Sequence, residues 1–186
     1  MGKMALPTPN AREPNILDRA KGIRLAVFDV DGVLTDGRLF LGDDGQEYKA
    51  FHARDGHGMK MLQASGVTLA IITARVSEVV RIRMEHLGVV HVYQGQQDKL
   101  RAYEELKERL HLRDEQIAYV GDDLVDVPIM HRVGLAVAVA DAHALAQHYS
   151  HWQTRAGGGR GAAREVCELI MEAQGTLDTI TAPYLV

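Results

Sequence analysis

The 186-residue sequence has a single cysteine, Cys167. One thiol can neither close an internal disulfide nor build a cysteine-caged metal site. Charge of one sign is also scarce. With 21 Lys and Arg against 25 Asp and Glu the net charge is −4, which argues against a nucleic-acid binder working by general electrostatics. Long apolar runs are missing: Val67–Ile72 and Leu135–Ala140 are far too short to span a bilayer. No contiguous apolar segment near the N-terminus marks a signal peptide, and there is no repeat or low-complexity tract. The expectation is a soluble cytoplasmic protein with no membrane or nucleic-acid partner. What is present is an ordinary globular mix, 46% hydrophobic and 25% charged, with enough chain to bury a core.

Residues 1–21 contain Pro7, Pro9 and Pro14 and little apolar patterning, which predicts a flexible leader with at most one helical turn near Ile16 and Leu17. One domain is expected over 22–178, with a short tail over 179–186. Apolar strands at Ile23–Phe28, Val67–Ile72, Val89–Tyr93, Ile117–Val120 and Leu135–Val139 alternate with helices. The helices are expected at Gly56–Ala64, Ser77–Leu87, Lys99–Leu110, about Leu124–Val133 and Ala163–Ala173. That order predicts an α/β fold, a Rossmann-like three-layer sandwich around a mostly parallel sheet. Gly42-Asp43-Asp44-Gly45 sits between Arg38–Leu41 and Gln46–Phe51 and predicts a projecting hairpin over about 36–51.

In such sheets a ligand binds beyond the carboxyl ends of the strands. Those ends are loaded here. They carry Asp29-Val30-Asp31-Gly32, then Thr73-Ala74-Arg75, and later Gly121-Asp122-Asp123; a helix opens with Asp98-Lys99. Crowded carboxylates repel unless a cation sits among them, and oxygen-only ligands suit Mg²⁺, which leaves room for a phosphate oxygen. Terminal aspartates can also simply cap helices, but that is a poor account of four loaded positions.

The ordered set Asp29-x-Asp31-Gly32, Thr73, Lys99 and Gly121-Asp122-Asp123-x-x-Asp126 resembles the haloacid dehalogenase superfamily of phosphohydrolases over about residues 23–140. The resemblance implies Asp29 as nucleophile, forming an aspartyl-phosphate, and Asp31 as general acid and then base. It implies Mg²⁺ held by Asp29, the Asp31 carbonyl and Asp122, with Thr73 and Lys99 on the phosphoryl group. Asp123 and Asp126 are expected to orient metal waters or Lys99, a direct metal bond from Asp123 remaining open. An acid at position 31 favours phosphomonoester hydrolysis over dehalogenation, and the Lys-Thr-Gly-Thr string of the ion-pumping members is replaced by Val-Asp-Gly-Val.

Only 41 residues separate Asp31 from Thr73, and 25 separate Thr73 from Lys99. Strands and helices fill both intervals, so no cap domain fits. A water-excluding site then needs a neighbouring subunit. The hairpin is the natural contact element, or else a plain exposed loop. The stretch Arg155-Ala156-Gly157-Gly158-Gly159-Arg160-Gly161 reads equally as a lid over a ligand or as a flexible linker. Nine histidines show no metal-ligand spacing.

Longer strings narrow the resemblance. Asp29–Gly37, Phe51-His52-Ala53-Arg54-Asp55-Gly56-His57-Gly58, Tyr93-Gln94-Gly95 and Gly158-Gly159-Arg160-Gly161-Ala162-x-Arg164-Glu165-Val166-Cys167 together resemble the capless 3-deoxy-D-manno-octulosonate 8-phosphate phosphatases of lipopolysaccharide biosynthesis, over about 22–178. That family implies a homotetramer whose sites are closed by neighbouring subunits. It implies sugar acid phosphate contacts from Asp31, His52, Ala53, Arg54, Asp55, Gly56, Lys60, Arg75, Arg83, Lys99 and Arg160. Arg75 and Arg83, eight apart, are expected on one face of one helix. Ala74, His52 and Lys60 depart from the family's usual residues. Two alternatives stand: a phosphatase of nine-carbon sialic-type sugar acid 9-phosphates, whose second residue after the Thr tends to be Glu rather than Arg75, and a non-catalytic oligomerisation module.

Overall fold

A strand that is apolar on both faces needs cover from both sides, and that demand organises the molecule. The computed structural model describes residues 16–185. In chain order the elements are α1 (Ile16–Lys21), β1 (Leu25–Phe28), β2 (Phe40–Leu41), β3 (Glu47–Tyr48), α2 (Ala53–Ala64), β4 (Thr68–Ile72), α3 (Glu78–Leu87), β5 (His91–Tyr93) and α4 (Lys99–Arg109). There follow β6 (Ile117–Gly121), α5 (Val127–Met130), β7 (Leu135–Ala138), α6 (Ala144–His148), β8 (Trp152–Gln153), α7 (Ala162–Ala173) and α8 (Leu177–Thr181). The strands β1, β6 and β7 are buried at every position.

The main sheet is parallel throughout, in the order β5-β4-β1-β6-β7-β8. The chain builds outward from β1 to β4 and β5, then returns to lay β6 on the other side of β1. The direction of winding reverses at β1, so the crevice falls at the carboxyl ends of β4, β1 and β6. Helices α1, α2, α3 and α7 pack together as one layer, and α4, α5 and α6 as the other. The hairpin β2–β3 is a separate two-stranded antiparallel sheet that leaves Leu39, Phe40, Leu41 and Tyr48 exposed.

Four expectations need correction. The leader expected over 1–21 is ordered in its last six residues: α1 buries Ile16 and Ala20 against the core, while residues 1–15 lie outside the described residues. At the other end α8 and a 3₁₀ turn fill most of the expected tail, with Ile180 packed against the core. Helix α2 starts at Ala53 rather than Gly56, because its packing against α7 outweighs the low helix propensity of its two glycines. The helix expected over Leu124–Val133 is a 3₁₀ turn, Leu124–Asp126, followed by the short α5. Pro128 has no N–H to continue the turn, and the Asp126 carboxylate takes the Asp122 and Asp123 N–H groups instead.

The Gly-rich stretch is neither loose linker nor open lid here. The Gly159 N–H donates to the Val33 carbonyl at 2.9 Å, the Gly158 N–H to Asp141 at 2.9 Å, and Arg155 and Ala156 N–H to the Glu165 carboxylate. A Cβ at Gly158 would lie 1.8 Å from the Gly32 carbonyl oxygen, so only glycine allows this approach to the turn after β1. Gly158→Ala is therefore expected to cost about 3 kcal/mol through overpacking. For a chain of this size that lowers the melting temperature by about 6–12 °C. An unchanged melting temperature in a calorimetric scan counts against the contact.

Candidate active site

Register brings the sequence-distant groups together. Phe28 pairs with Ile71 and Val120, so Asp29 sits one step beyond, level with the end of β4 and with Gly121. Thr73 follows β4 and is buried. Lys99 opens α4, and Asp98 caps that helix by accepting the Leu100 N–H at 3.2 Å. The Lys99 Nζ then stands 2.9 Å from Asp29 Oδ2 and 2.7 Å from Asp126 Oδ1. Carboxylate oxygens of Asp29, Asp122 and Asp126 all lie within 4.8 Å of one another. The turn after β1 comes so near that a Cβ at Gly32, whose φ is +93°, would fall 2.0 Å from Asp122 Oδ2.

The three carboxylates are not equivalent. Asp126 is fully buried and saturated: Oδ1 accepts from Lys99 and from the Tyr119 hydroxyl at 2.6 Å, and Oδ2 from the Asp122 and Asp123 N–H groups. Asp29 Oδ1 and Asp122 Oδ1 are buried without any partner. Orphaned buried acceptors of this kind are costly. Burial, and then the charge of Asp126, push the Asp29 carboxyl up to about 7 against the opposing pull of Lys99. Burial, and then the charge of Asp29, push Asp122 up to about 8. Burial alone would lower the Lys99 ammonium, but Asp29 and Asp126 outweigh it and raise it. Two unpartnered oxygens aimed into an anionic pocket fit a hard divalent cation, with Asp126 orienting the set rather than binding directly. Asp123 is exposed and spends its carboxylate on the Leu124 N–H, which turns it away from that role.

The expected sugar contacts divide. His52, Arg54 and Arg160 line one open cleft of about 410 Å³ with Asp36, Ala50 and Gly159. The Arg160 guanidinium is 3.8 Å from Asp36. Ala53 is exposed at the start of α2. Asp55 is turned inward instead: its buried carboxylate accepts the Gly161 N–H at 3.2 Å and the Arg164 N–H at 2.8 Å, holding the start of α7. Gly56 is buried beneath Arg83. Lys60 is exposed on α2 seven residues from its start, roughly 10 Å along the axis. Arg75 and Arg83 do not share a helix, because α3 begins only after the Ser77 cap. Arg75 lies in the preceding loop, 3.0 Å from Glu47 and 3.7 Å from Asp31, while Arg83 lies over the Phe51 ring at 5.8 Å.

Two site residues escaped the sequence reading. Lys49 follows β3 with its side chain only 1% exposed and pairs with Asp31 and, at 3.2 Å, with Glu47. Its signal was the alternation that puts 47 and 49 on one face of the hairpin. Tyr119 is the one hydroxyl inside the apolar β6. Burial, and then Asp126, push its pKa well up, keeping it a neutral donor. A phenol in a buried strand needs a partner, which was the available clue.

Residues 66–164 match the model of the haloacid dehalogenase-like hydrolase family. Over 165 residues the chain is 50% identical to the 3-deoxy-D-manno-octulosonate 8-phosphate phosphatase KdsC of Salmonella typhimurium, covering 89% of this chain and 88% of that one. The chain belongs to this phosphatase family. Among solved structures, a probable YrbI family phosphatase from Pseudomonas syringae is 52% identical with a TM-score of 0.92, over 94% of this chain and 99% of that one. The 3-deoxy-D-manno-octulosonate 8-phosphate phosphatase of Moraxella catarrhalis, solved with magnesium ion, phosphate ion and KDO, is 41% identical with a TM-score of 0.91, over 92% and 99%. As a family member the chain is a phosphatase, and its Rossmann-like sheet with flanking helices is the family's fold.

The raised carboxyls set a pH dependence. Between their ordinary value of 3.8 and about 7 or 8, the ion-free folded state holds protons that the unfolded chain has released. Stability contributed by these two groups therefore falls as pH rises through that window. Cation binding displaces the same protons, so Mg²⁺ is expected to stabilise more at pH 8 than at pH 6. At 100 times Kd the gain is about 2.7 kcal/mol, a rise of roughly 5–10 °C in melting temperature. Thermal scans at both pH values check this; an Mg²⁺ shift independent of pH goes against these ligands.

Proposed function

We propose that the chain hydrolyses 3-deoxy-D-manno-octulosonate 8-phosphate to 3-deoxy-D-manno-octulosonate and phosphate, a cytoplasmic step of lipopolysaccharide synthesis. The observation that carries this reading is the unpartnered Asp29 carboxylate oxygen at the switch point, beside Asp122 and Lys99 and two residues before Asp31. The KDO and phosphate bound by the Moraxella relative support the substrate.

Asp29, the Asp31 carbonyl and Asp122 would hold Mg²⁺, which neutralises charge between nucleophile and phosphoryl group when bound. Lys99 fixes the Asp29 carboxylate and adds positive charge where the phosphoryl oxygens lie. Asp29 attacks phosphorus as the bond to the sugar oxygen breaks, and Asp31 gives its proton to that leaving oxygen. Asp31 then takes a proton from the water that hydrolyses the aspartyl-phosphate, restoring Asp29. Thr73, buried at the end of β4, donates its hydroxyl to a phosphoryl oxygen. His52, Arg54 and Arg160 offer cationic and polar groups to the sugar acid at the mouth of the cleft.

Among the described residues no domain is inserted over the crevice. The hairpin shows Leu39, Phe40, Leu41 and Tyr48 to solvent, and the strand-end loops add Val76, Leu124 and Val125. Apolar groups around a polar site support closure by neighbouring copies, and we infer a homotetramer joined through the hairpins.

Asp29→Asn is expected to lower kcat at least about a thousandfold with an unchanged far-UV spectrum. Near-normal Mg²⁺-dependent turnover by that variant removes the nucleophile assignment. Comparing kcat/KM for the eight-carbon 8-phosphate and a nine-carbon 9-phosphate, with and without chelator, tests the substrate. Sedimentation is expected to give a tetramer, and a fully active monomer overturns closure by a neighbour.

A further inference from the structure

The site contains two lysines, each held between two acids. Lys99 lies between Asp29 and Asp126 and belongs to the machinery described above. Lys49 repeats the arrangement around Asp31 and Glu47, from a different part of the chain. Its Nζ grips Asp31 Oδ1, and Arg75 Nε stands 3.7 Å from Asp31 Oδ2. Glu47 Oε1 accepts from both cations, at 3.2 Å from Lys49 and 3.0 Å from Arg75, and ties them together. The Asp31 carboxylate is thus braced on both oxygens. The brace comes from the hairpin and the loop after β4, not from the turn after β1 that carries Asp31.

We propose that Lys49 is the positioning residue for Asp31, aiming its carboxyl at the leaving oxygen. The inference rests on the role given to Asp31 in the proposed mechanism. Three features support it. Burying a lysine side chain almost completely is costly unless it is paired, and both partners here are acids. A carboxyl that delivers a proton must sit within hydrogen-bond reach of the receiving oxygen, and an unbraced side chain three residues past a strand end samples several rotamers. Finally, the alternation of the hairpin separates two tasks. Glu47 and Lys49 turn toward Asp31, while Tyr48 between them is 58% exposed on the surface proposed for assembly. Seating the hairpin against a neighbour therefore also seats the brace on the general acid.

The discriminating readout is the leaving group. A p-nitrophenolate departs without needing a proton, whereas an alkoxide or an electron-rich phenolate does. Steady-state kcat/KM is compared for p-nitrophenyl phosphate, p-methoxyphenyl phosphate and 3-deoxy-D-manno-octulosonate 8-phosphate, using the full chain with Mg²⁺. Lys49→Met is expected to lower kcat/KM about 100-fold on the octulosonate ester. The p-methoxyphenyl ester is expected to lose less, and p-nitrophenyl phosphate to stay within about threefold of the parent. Lys49→Arg, which keeps the charge, is expected to recover about a tenfold share of that loss. It also carries the comparison if the Met variant does not fold. Equal loss on all three esters, or no loss on any, overturns the proposal. Asp31→Asn separates this from failure of the mechanism. If Asp31→Asn shows leaving-group selectivity and the Lys49 variants do not, the brace is wrong. If Asp31→Asn shows none, the acid assignment itself is wrong and the proposal falls with it.

Discussion

Negative charge concentrated at the carboxyl ends of two parallel strands, β1 and β6, is the constraint on which the rest depends. Asp29, Asp122 and Asp126 are brought within 4.8 Å by strand pairing, which has no regard for their repulsion. Lys99 offsets part of it, and the Tyr119 hydroxyl and two backbone N–H groups satisfy the rest of Asp126. Burial first, and then the residual anionic field of the neighbouring acids, raise the carboxyl pKa values of Asp29 and Asp122. The same field makes the pocket receptive to a divalent ion. Stability is locally given up to keep one oxygen of Asp29 and one of Asp122 buried and unpartnered.

Among the described residues, the surrounding structure holds that arrangement without a lid domain. The turn after β1 is clamped from outside by the Gly-rich segment before α7, through the Gly159 to Val33 hydrogen bond and the Gly158 approach to Gly32. Asp55 and Glu165 anchor the two ends of that segment by accepting its backbone N–H groups. A contiguous path thus runs from the start of α2, through the start of α7, to the loop that carries Asp31. Arg160 is delivered to the cleft mouth by the same segment, beside His52 and Arg54.

The hairpin joins the proposed general acid to the surface proposed for assembly. Its inward side chains meet Asp31 and Arg75, while Leu39, Phe40, Leu41 and Tyr48 are exposed on it. Sheets this small gain little from their own two-strand pairing. Here the buried Lys49 links fasten the base of the hairpin to the main domain, and its apolar outer face is free to pair elsewhere.

By itself the sequence determined the layering and the parallel sheet, and it marked Asp29, Asp31, Thr73, Lys99 and Asp122 as the groups proposed for catalysis. Buried strands and strand-end acids are local patterns, readable one segment at a time. Tertiary structure alone decided what crosses between segments. It turned Asp55 inward to hold α7, separated Arg75 from Arg83 at the Ser77 cap, and broke the expected helix after Asp123 so that Asp126 could serve Lys99. It also ordered the last turn of the leader against the core, and it brought Lys49 to Asp31 across 18 positions. Side-chain partners are set by packing and register between distant elements, and no local periodicity encodes them.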